Sequence, residues 1–146
     1  MKIYFDMDGT LNRLYDVPNW LSMLRASDPT PYLIAKPRIN LSLLARYLNK
    51  LQRQGHTIGV ISWLSRDSSP EYDELVTAAK TTWLNIHLPS VKWDEIHIVS
   101  YGTDKWSIAH EGIIFDDDER VHNTWEHEAY LPDDIFNILK EIAAVN

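Results

Sequence analysis

The stretch Ile3-Tyr4-Phe5-Asp6-Met7-Asp8-Gly9-Thr10-Leu11 stands near the head of the chain and decides how the rest is read. Three apolar residues read as a short buried strand that stops at Asp6. A second carboxylate follows two residues on, at Asp8. Gly9 then permits a tight turn that lets backbone approach a ligand. Two carboxylates on such a turn can both reach one centre, where one can attack while the other moves a proton.

Beyond this stretch, strands alternate with helices. Four prolines between Tyr15 and Arg38 argue against a long regular element there, although Trp20 to Arg25 suits a short helix. Asn40 reads as a helix N-cap with Ile39 and Leu44 as a hydrophobic staple. Leu41, Leu44, Leu48 and Leu51 give one apolar face, and Gly55 suits the end that needs a positive φ. Thr57 to Ser62 is β-branched and apolar, a second strand. Ser69-Pro70 reads as a cap and first helical position. The helix it opens is expected to run to about His87, with Leu75, Ala79, Trp83 and Ile86 inward. Glu95 to Val99 reads as a third strand, Asp104 to His110 as a short helix and Gly112 to Phe115 as a fourth strand. Pro132 opens a last helix with Ile135, Ile138, Leu139 and Ile142 on one face.

This alternation predicts an α/β fold with a mainly parallel sheet. Ligands of such sheets bind outside the carboxyl ends of the strands. Asp6, Ser62 and the pair Asp116-Asp117 all close predicted strands, so parallel direction brings them to one edge. An acidic run such as Asp116 to Glu119 reads by itself as a solvated loop. At a shared edge its carboxylates become hard oxygen ligands, and Asp6 with Asp116 suits Mg²⁺, which takes one or two carboxylates beside phosphate and water. Without such an ion, the gathered negative charge repels a phosphate. A carboxylate attacks phosphorus to form an aspartyl-phosphate. The phosphoryl oxygens also need donors. Ser62 offers a hydroxyl and Lys105 a charge, with Ser65 and Lys92 as rivals.

Asp6-Met7-Asp8-Gly9-Thr10-Leu11 resembles the first motif of the haloacid dehalogenase superfamily of phosphohydrolases. Ser62 resembles its second motif, Lys105 its third and Ile113-Ile114-Phe115-Asp116-Asp117 its fourth, in the same order. The resemblance implies a Rossmann-like three-layer α/β/α domain. It also implies roles: Asp6 as nucleophile and metal ligand, Asp8 as general acid and then base, with its carbonyl on the metal. Ser62 would bind a phosphoryl oxygen, Lys105 would steady Asp6 and the phosphate, and Asp116 and Asp117 would hold Mg²⁺, Asp117 directly or through water. A narrower likeness is to cytosolic 5′(3′)-deoxyribonucleotidases. Trp83-Leu84-Asn85-Ile86-His87-Leu88, Lys105, the double Asp and then Trp125-Glu126-His127 carry it. Those enzymes have a sizeable helical cap after the first motif, whereas here only about Tyr15 to Arg38 is free for one.

Other polar and aromatic residues have competing readings. Gly9, Thr10, Trp63 and Arg66 are candidate substrate contacts, Arg66 through its fork geometry, although a surface arginine is the plainer reading. Trp20 and Tyr32 are placed either to stack on a base or to pack the insert on the core. His122 and His127 lie near the acidic run, but Mg²⁺ prefers oxygen, and Trp125-Glu126-His127 reads as a structural corner.

The 146 residues fit one domain, 1–146, with a small cap-like insert at about 15–38. With no cysteine, a disulfide scaffold, a thiolate zinc site and a Cys nucleophile are excluded. No apolar run approaches the ~18 residues of a membrane span, and the head carries acids where a signal peptide is apolar. A cytoplasmic protein with no membrane partner is the expectation. A net charge of −7 counts against nucleic acid as a partner. The function expected is a Mg²⁺-dependent phosphatase acting on a small phosphorylated substrate, a nucleotide first. Its alternatives are a silent metal- or phosphate-binding regulatory domain and a phosphatase for a bulky substrate such as a nucleic-acid end or a phosphoprotein.

Overall fold

Short apolar strands joined through helices leave the parallel arrangement as the way to bury both sheet faces. The computed structural model describes residues 1–145 and has this architecture. Its elements are β1 (Lys2–Phe5), α1 (Trp20–Arg25), α2 (Thr30–Ile34), α3 (Leu41–Arg53), β2 (Thr57–Trp63), α4 (Pro70–His87) and β3 (Glu95–Val99). There follow α5 (Lys105–Ala109), β4 (Ile113–Phe115), α6 (Glu119–Thr124), β5 (Ala129–Tyr130) and α7 (Ile135–Ala144). All strand pairs are parallel and the sheet order is β3-β2-β1-β4-β5. The chain winds outward from β1 on one side, then returns to start again at β4. The point where the order reverses lies between β1 and β4.

Alternation along the strands assigns the two cores. Ile3, Phe5, Ile58, Val60, Ile113 and Phe115 face α3, α4 and α7, where Leu44, Leu48, Leu51, Trp83 and Leu139 are fully or almost fully buried. Tyr4, Ile61 and Ile114 face the other layer, with Ala109, Val121 and Trp125. Gly59 lies opposite Tyr4, and a side chain there would meet the Tyr4 ring at 2.8 Å. Trp125 packs edge-on against Tyr4 and Trp106, and its Nε1 donates to the Gly112 carbonyl, so this residue is a packing element, while Glu126 and His127 are exposed.

Helix ends follow their residues. The side chains of Asn40 and Ser69 accept from the backbone N–H groups of Leu43 and Tyr72, as N-caps do. Two expectations need correction, and two elements add to what was read. Leu75 and Ile86 point outward on α4, and the inward face runs through Tyr72, Val76, Ala79, Lys80, Trp83 and Leu84. A buried lysine in the middle of that face displaces the apolar stripe by one residue. The acidic run does not simply continue as loop, because Asp118 caps α6. The short β5 adds an edge strand that the sequence pattern did not announce, and Pro132 opens a 3-10 turn before α7 begins. Among the described residues no helix is long and apolar enough to cross a membrane.

Between Tyr15 and Arg38 lie two short helices. Tyr32 on α2 is buried with Tyr72, Val76 and Ala79 of α4, and its hydroxyl meets Ser65 Oγ at 2.6 Å. Trp83 Nε1 donates to the Ala35 carbonyl at 2.7 Å. Helix α1 has no buried residue.

Candidate active site at the strand switch point

Phe5 pairs with Phe115 across β1 and β4, so the next residues, Asp6 and Asp116, emerge side by side at the reversal point. Asp6 N donates to Phe115 O at 2.9 Å and Asp116 N to Tyr130 O at 3.0 Å, which fixes both backbones. The turn after Asp6 closes through three N–H groups, those of Thr10, Leu11 and Asn12, all donating to Met7 O. Gly9 sits in it at φ 81°, a conformation costly for other residues, and a Cβ there would collide with the Asp117 carboxylate.

The carboxylates are held unequally. Lys105, buried at the start of α5, donates to Asp6 Oδ1 at 3.1 Å and to Asp116 Oδ2 at 2.7 Å. Thr10 Oγ1 donates to Asp6 Oδ2 at 3.2 Å, and the Asp118 N–H donates to Asp116 Oδ1 at 2.9 Å. Oxygens of Asp6, Asp116 and Asp117 lie within 4.8 Å of one another. With all three ionised, one ammonium would leave two negative charges uncompensated. Burial pushes Asp116 up to about 7, with Asp6 adding to it and Lys105 opposing. Burial, then Asp6, pushes Asp117 up to about 8. Burial works against the Lys105 ammonium, but Asp6 and Asp116 outweigh it and hold its pKa above the ordinary value. An all-oxygen donor set short of positive charge fits a hard divalent cation such as Mg²⁺.

Asp8 points elsewhere. Its Oδ2 accepts from Lys80 Nζ at 2.8 Å and its Oδ1 from Asn12 Nδ2 at 3.2 Å, so its side chain stands outside the three-carboxylate group. Asp6, Asp8, Lys105, Asp116 and Asp117 line one cavity of about 570 Å³ with Tyr15, Trp20, Tyr32, Trp63, Ser65, Arg66 and Tyr101.

Of the other residues singled out in the sequence, Ser62 has no solvent exposure and does not line this cavity, while its rival Ser65 does. The Ser62 hydroxyl instead receives Lys80 Nζ at 2.7 Å. Thr10 is likewise enclosed, and the Gly9 carbonyl is taken by Arg38. Trp63 forms part of the rim, its Nε1 donating to Thr103 O at 2.8 Å. Arg66 is exposed and near Asp67, and Lys92 is exposed and away from the cavity lining. Tyr32 packs the insert and also lines the cavity, as does Trp20, which stands edge-on to Tyr15. His122 Nε2 donates to the Asp116 carbonyl at 2.7 Å, and His127 is exposed.

Two features went unread in the sequence. Lys80 carried no signal beyond a polar residue at an inward helical spacing. Arg120 is held by Asp118, with Nη2 to Oδ2 at 2.7 Å, and its guanidinium lies 4.9 Å from the Trp63 ring and 5.3 Å from the Tyr101 ring. That arrangement comes from α6, which the pattern did not reveal.

No protein-family model and no curated protein matches the sequence. Solved structures do resemble it. A chain of the Pnkp1/Rnl/Hen1 complex superposes with a TM-score of 0.57 at 13% identity, over 89% of this chain and 44% of that one. The D,D-heptose 1,7-bisphosphate phosphatase from Burkholderia thailandensis gives 0.55 at 12% identity, over 97% of both chains. This chain thus spans under half of the first neighbour and nearly all of the second. At such identities the likeness is one of fold.

Proposed function

We propose that this chain is a Mg²⁺-dependent phosphatase of the haloacid dehalogenase type, hydrolysing a phosphate monoester through an aspartyl-phosphate. The observation that carries the reading is the Lys105 ammonium shared by Asp6 and Asp116 at the reversal point of the sheet, with Asp117 beside them. The fold shared with a sugar-bisphosphate phosphatase is consistent with it.

Asp6, Asp116 and Asp117 are the side chains that would hold Mg²⁺. When bound, the ion supplies the positive charge that lets a phosphate dianion approach these acids. Asp6 attacks phosphorus. The bond from phosphorus to the ester oxygen breaks, its electron pair stays on that oxygen, and Asp8 gives the oxygen a proton. Water then attacks the aspartyl-phosphate and passes a proton to Asp8. The bond to Asp6 breaks, its pair returns to the carboxylate, and inorganic phosphate leaves. Thr10 and Lys105 orient Asp6 throughout. Ser65 and Arg66 are among the cavity residues that can donate to phosphoryl oxygens, whereas the enclosed Ser62 hydroxyl is engaged by Lys80.

A nucleotide is the substrate favoured. Trp20, Tyr15, Trp63 and Tyr101 line the cavity, and aromatic faces stack on bases. The experiment is a phosphate-release screen over nucleoside monophosphates, sugar phosphates and phosphopeptides, with Mg²⁺ and with chelator. Turnover that needs Mg²⁺ and vanishes in a folded Asp6→Asn variant is expected. No metal-dependent turnover on any ester would refute the enzyme reading and leave the silent binding domain. Equal rates on nucleotides and simple esters would refute the nucleotide.

A further inference from the structure

Lys80 is a buried charge that the scheme above leaves without a task. It has no solvent exposure. Its three ammonium protons meet three acceptors: Asp8 Oδ2 at 2.8 Å, Ser62 Oγ at 2.7 Å and the Trp63 carbonyl at 2.8 Å. The Tyr32 ring covers it at 5.1 Å. A buried ammonium is tolerated only when paired and hydrogen-bonded, and this one is saturated.

The pair is lopsided. Lys80 is fully enclosed, whereas the Asp8 side chain keeps 13% of its surface and lines the cavity. One end is therefore anchored in the protein and the other faces the ligand. The anchor is firm because both other acceptors belong to β2, which pairs directly with β1, the strand that leads into Asp6 and Asp8. With Asn12 holding the second oxygen, donors from two separate segments fix the carboxyl group. The buried hydroxyl of Ser62 finds its purpose here, as a brace for Lys80.

We infer that Lys80 is a positioning residue that sets the rotamer of Asp8, so that its carboxyl group is presented to the leaving oxygen in the cavity beside Asp6. This rests on the phosphatase reading, because it assigns Lys80 to the proton donor of that reaction. It also makes a claim that mere charge neutralisation does not. Loss of Lys80 must hurt most where the leaving group needs its proton.

The test compares two esters in the folded Lys80→Met variant, which keeps chain length and loses the charge. One is an aryl phosphate, whose phenolate leaves unassisted, and the other an alkyl phosphate, whose alkoxide does not. The ratio kcat/KM reports events up to departure of the alcohol. The alkyl ester is expected to lose about a hundredfold and the aryl ester less than about tenfold, the span of general-acid assistance. Adding Lys80→Met to Asp8→Asn is expected to cost the alkyl ester no more than about threefold further, since the two act as one unit. That double variant leaves no lone buried charge, so it serves if the single variant does not fold. Equal losses on both esters, or a further loss of about tenfold or more in the double variant, would overturn the role of Lys80 and leave the phosphatase reading standing. A wild-type protein with no turnover would overturn both.

Discussion

Replacing Lys105 by methionine isolates the electrostatics of the site. The ammonium lies 3.1 Å from Asp6 Oδ1 and 2.7 Å from Asp116 Oδ2, and all three side chains are buried. At an effective dielectric of about 20, each contact is an attraction on the order of 5 kcal/mol before desolvation is counted. Removing one partner of a buried pair costs about 3–5 kcal/mol, because the other charge is left alone. Here two carboxylates are left facing each other, with Asp117 nearby. They have an escape, since Asp116 already sits at about 7 and takes up a proton more readily once Lys105 is gone. The loss is therefore small in acid and full above neutrality. For a chain of this size it lowers Tm by on the order of 10 °C near pH 8. The assay is thermal unfolding by circular dichroism in chelator, wild type beside variant, near pH 5.5 and pH 8. Mg²⁺ is expected to restore part of the loss near pH 8 by binding the folded state alone. A variant within about 1 kcal/mol of wild type near pH 8, or a loss that grows on acidification, would show that Lys105 does not hold the two carboxylates in this way.

Three further outcomes follow from the geometry. Gly9→Ala forces a residue with φ 81° into a strained region at a cost of about 1–2 kcal/mol; its Cβ displaces Asp117, so Mg²⁺ affinity measured by calorimetry drops, and unchanged affinity would count against Asp117 as a ligand. In the metal-free protein, Asp117 is raised from 3.8 to about 8, mainly by burial. Its contribution is present below about pH 4 and lost as pH rises through 8, so Asp117→Asn gains stability relative to wild type along that rise in denaturant titrations. A flat difference would refute the shift. Trp20→Ala removes a cavity wall from a helix with no buried residue, so stability changes by less than about 0.5 kcal/mol while kcat/KM on nucleotides falls and on sugar phosphates does not; a parallel fall on both would remove the case for base stacking.

The sheet was legible because apolar runs ending in polar residues recur along the chain, and parallel direction carries their ends to one edge. Asp6, Lys105, Asp116 and Asp117 meet there as read. The register of α4 was misjudged because sequence patterning treats lysine as an outward residue, and it is the carboxyl of Asp8, the hydroxyl of Ser62 and the carbonyl of Trp63 that make Lys80 an inward one. Ser62 was read as a ligand contact for the same reason: its partner lies 18 residues away, on a helix whose face depends on that partner. The two-residue strand β5 owes its existence to pairing with β4 and has no pattern of its own to read.

If Asp6 carries the phosphoryl group during turnover, the adduct can be trapped. The protein is mixed with Mg²⁺ and an excess of a hydrolysed ester, quenched in acid within the first turnovers, digested and examined by mass spectrometry. A phosphoryl adduct on the peptide bearing Asp6, absent in chelator, is expected. Steady release of phosphate with that peptide unmodified at every quench time would contradict it.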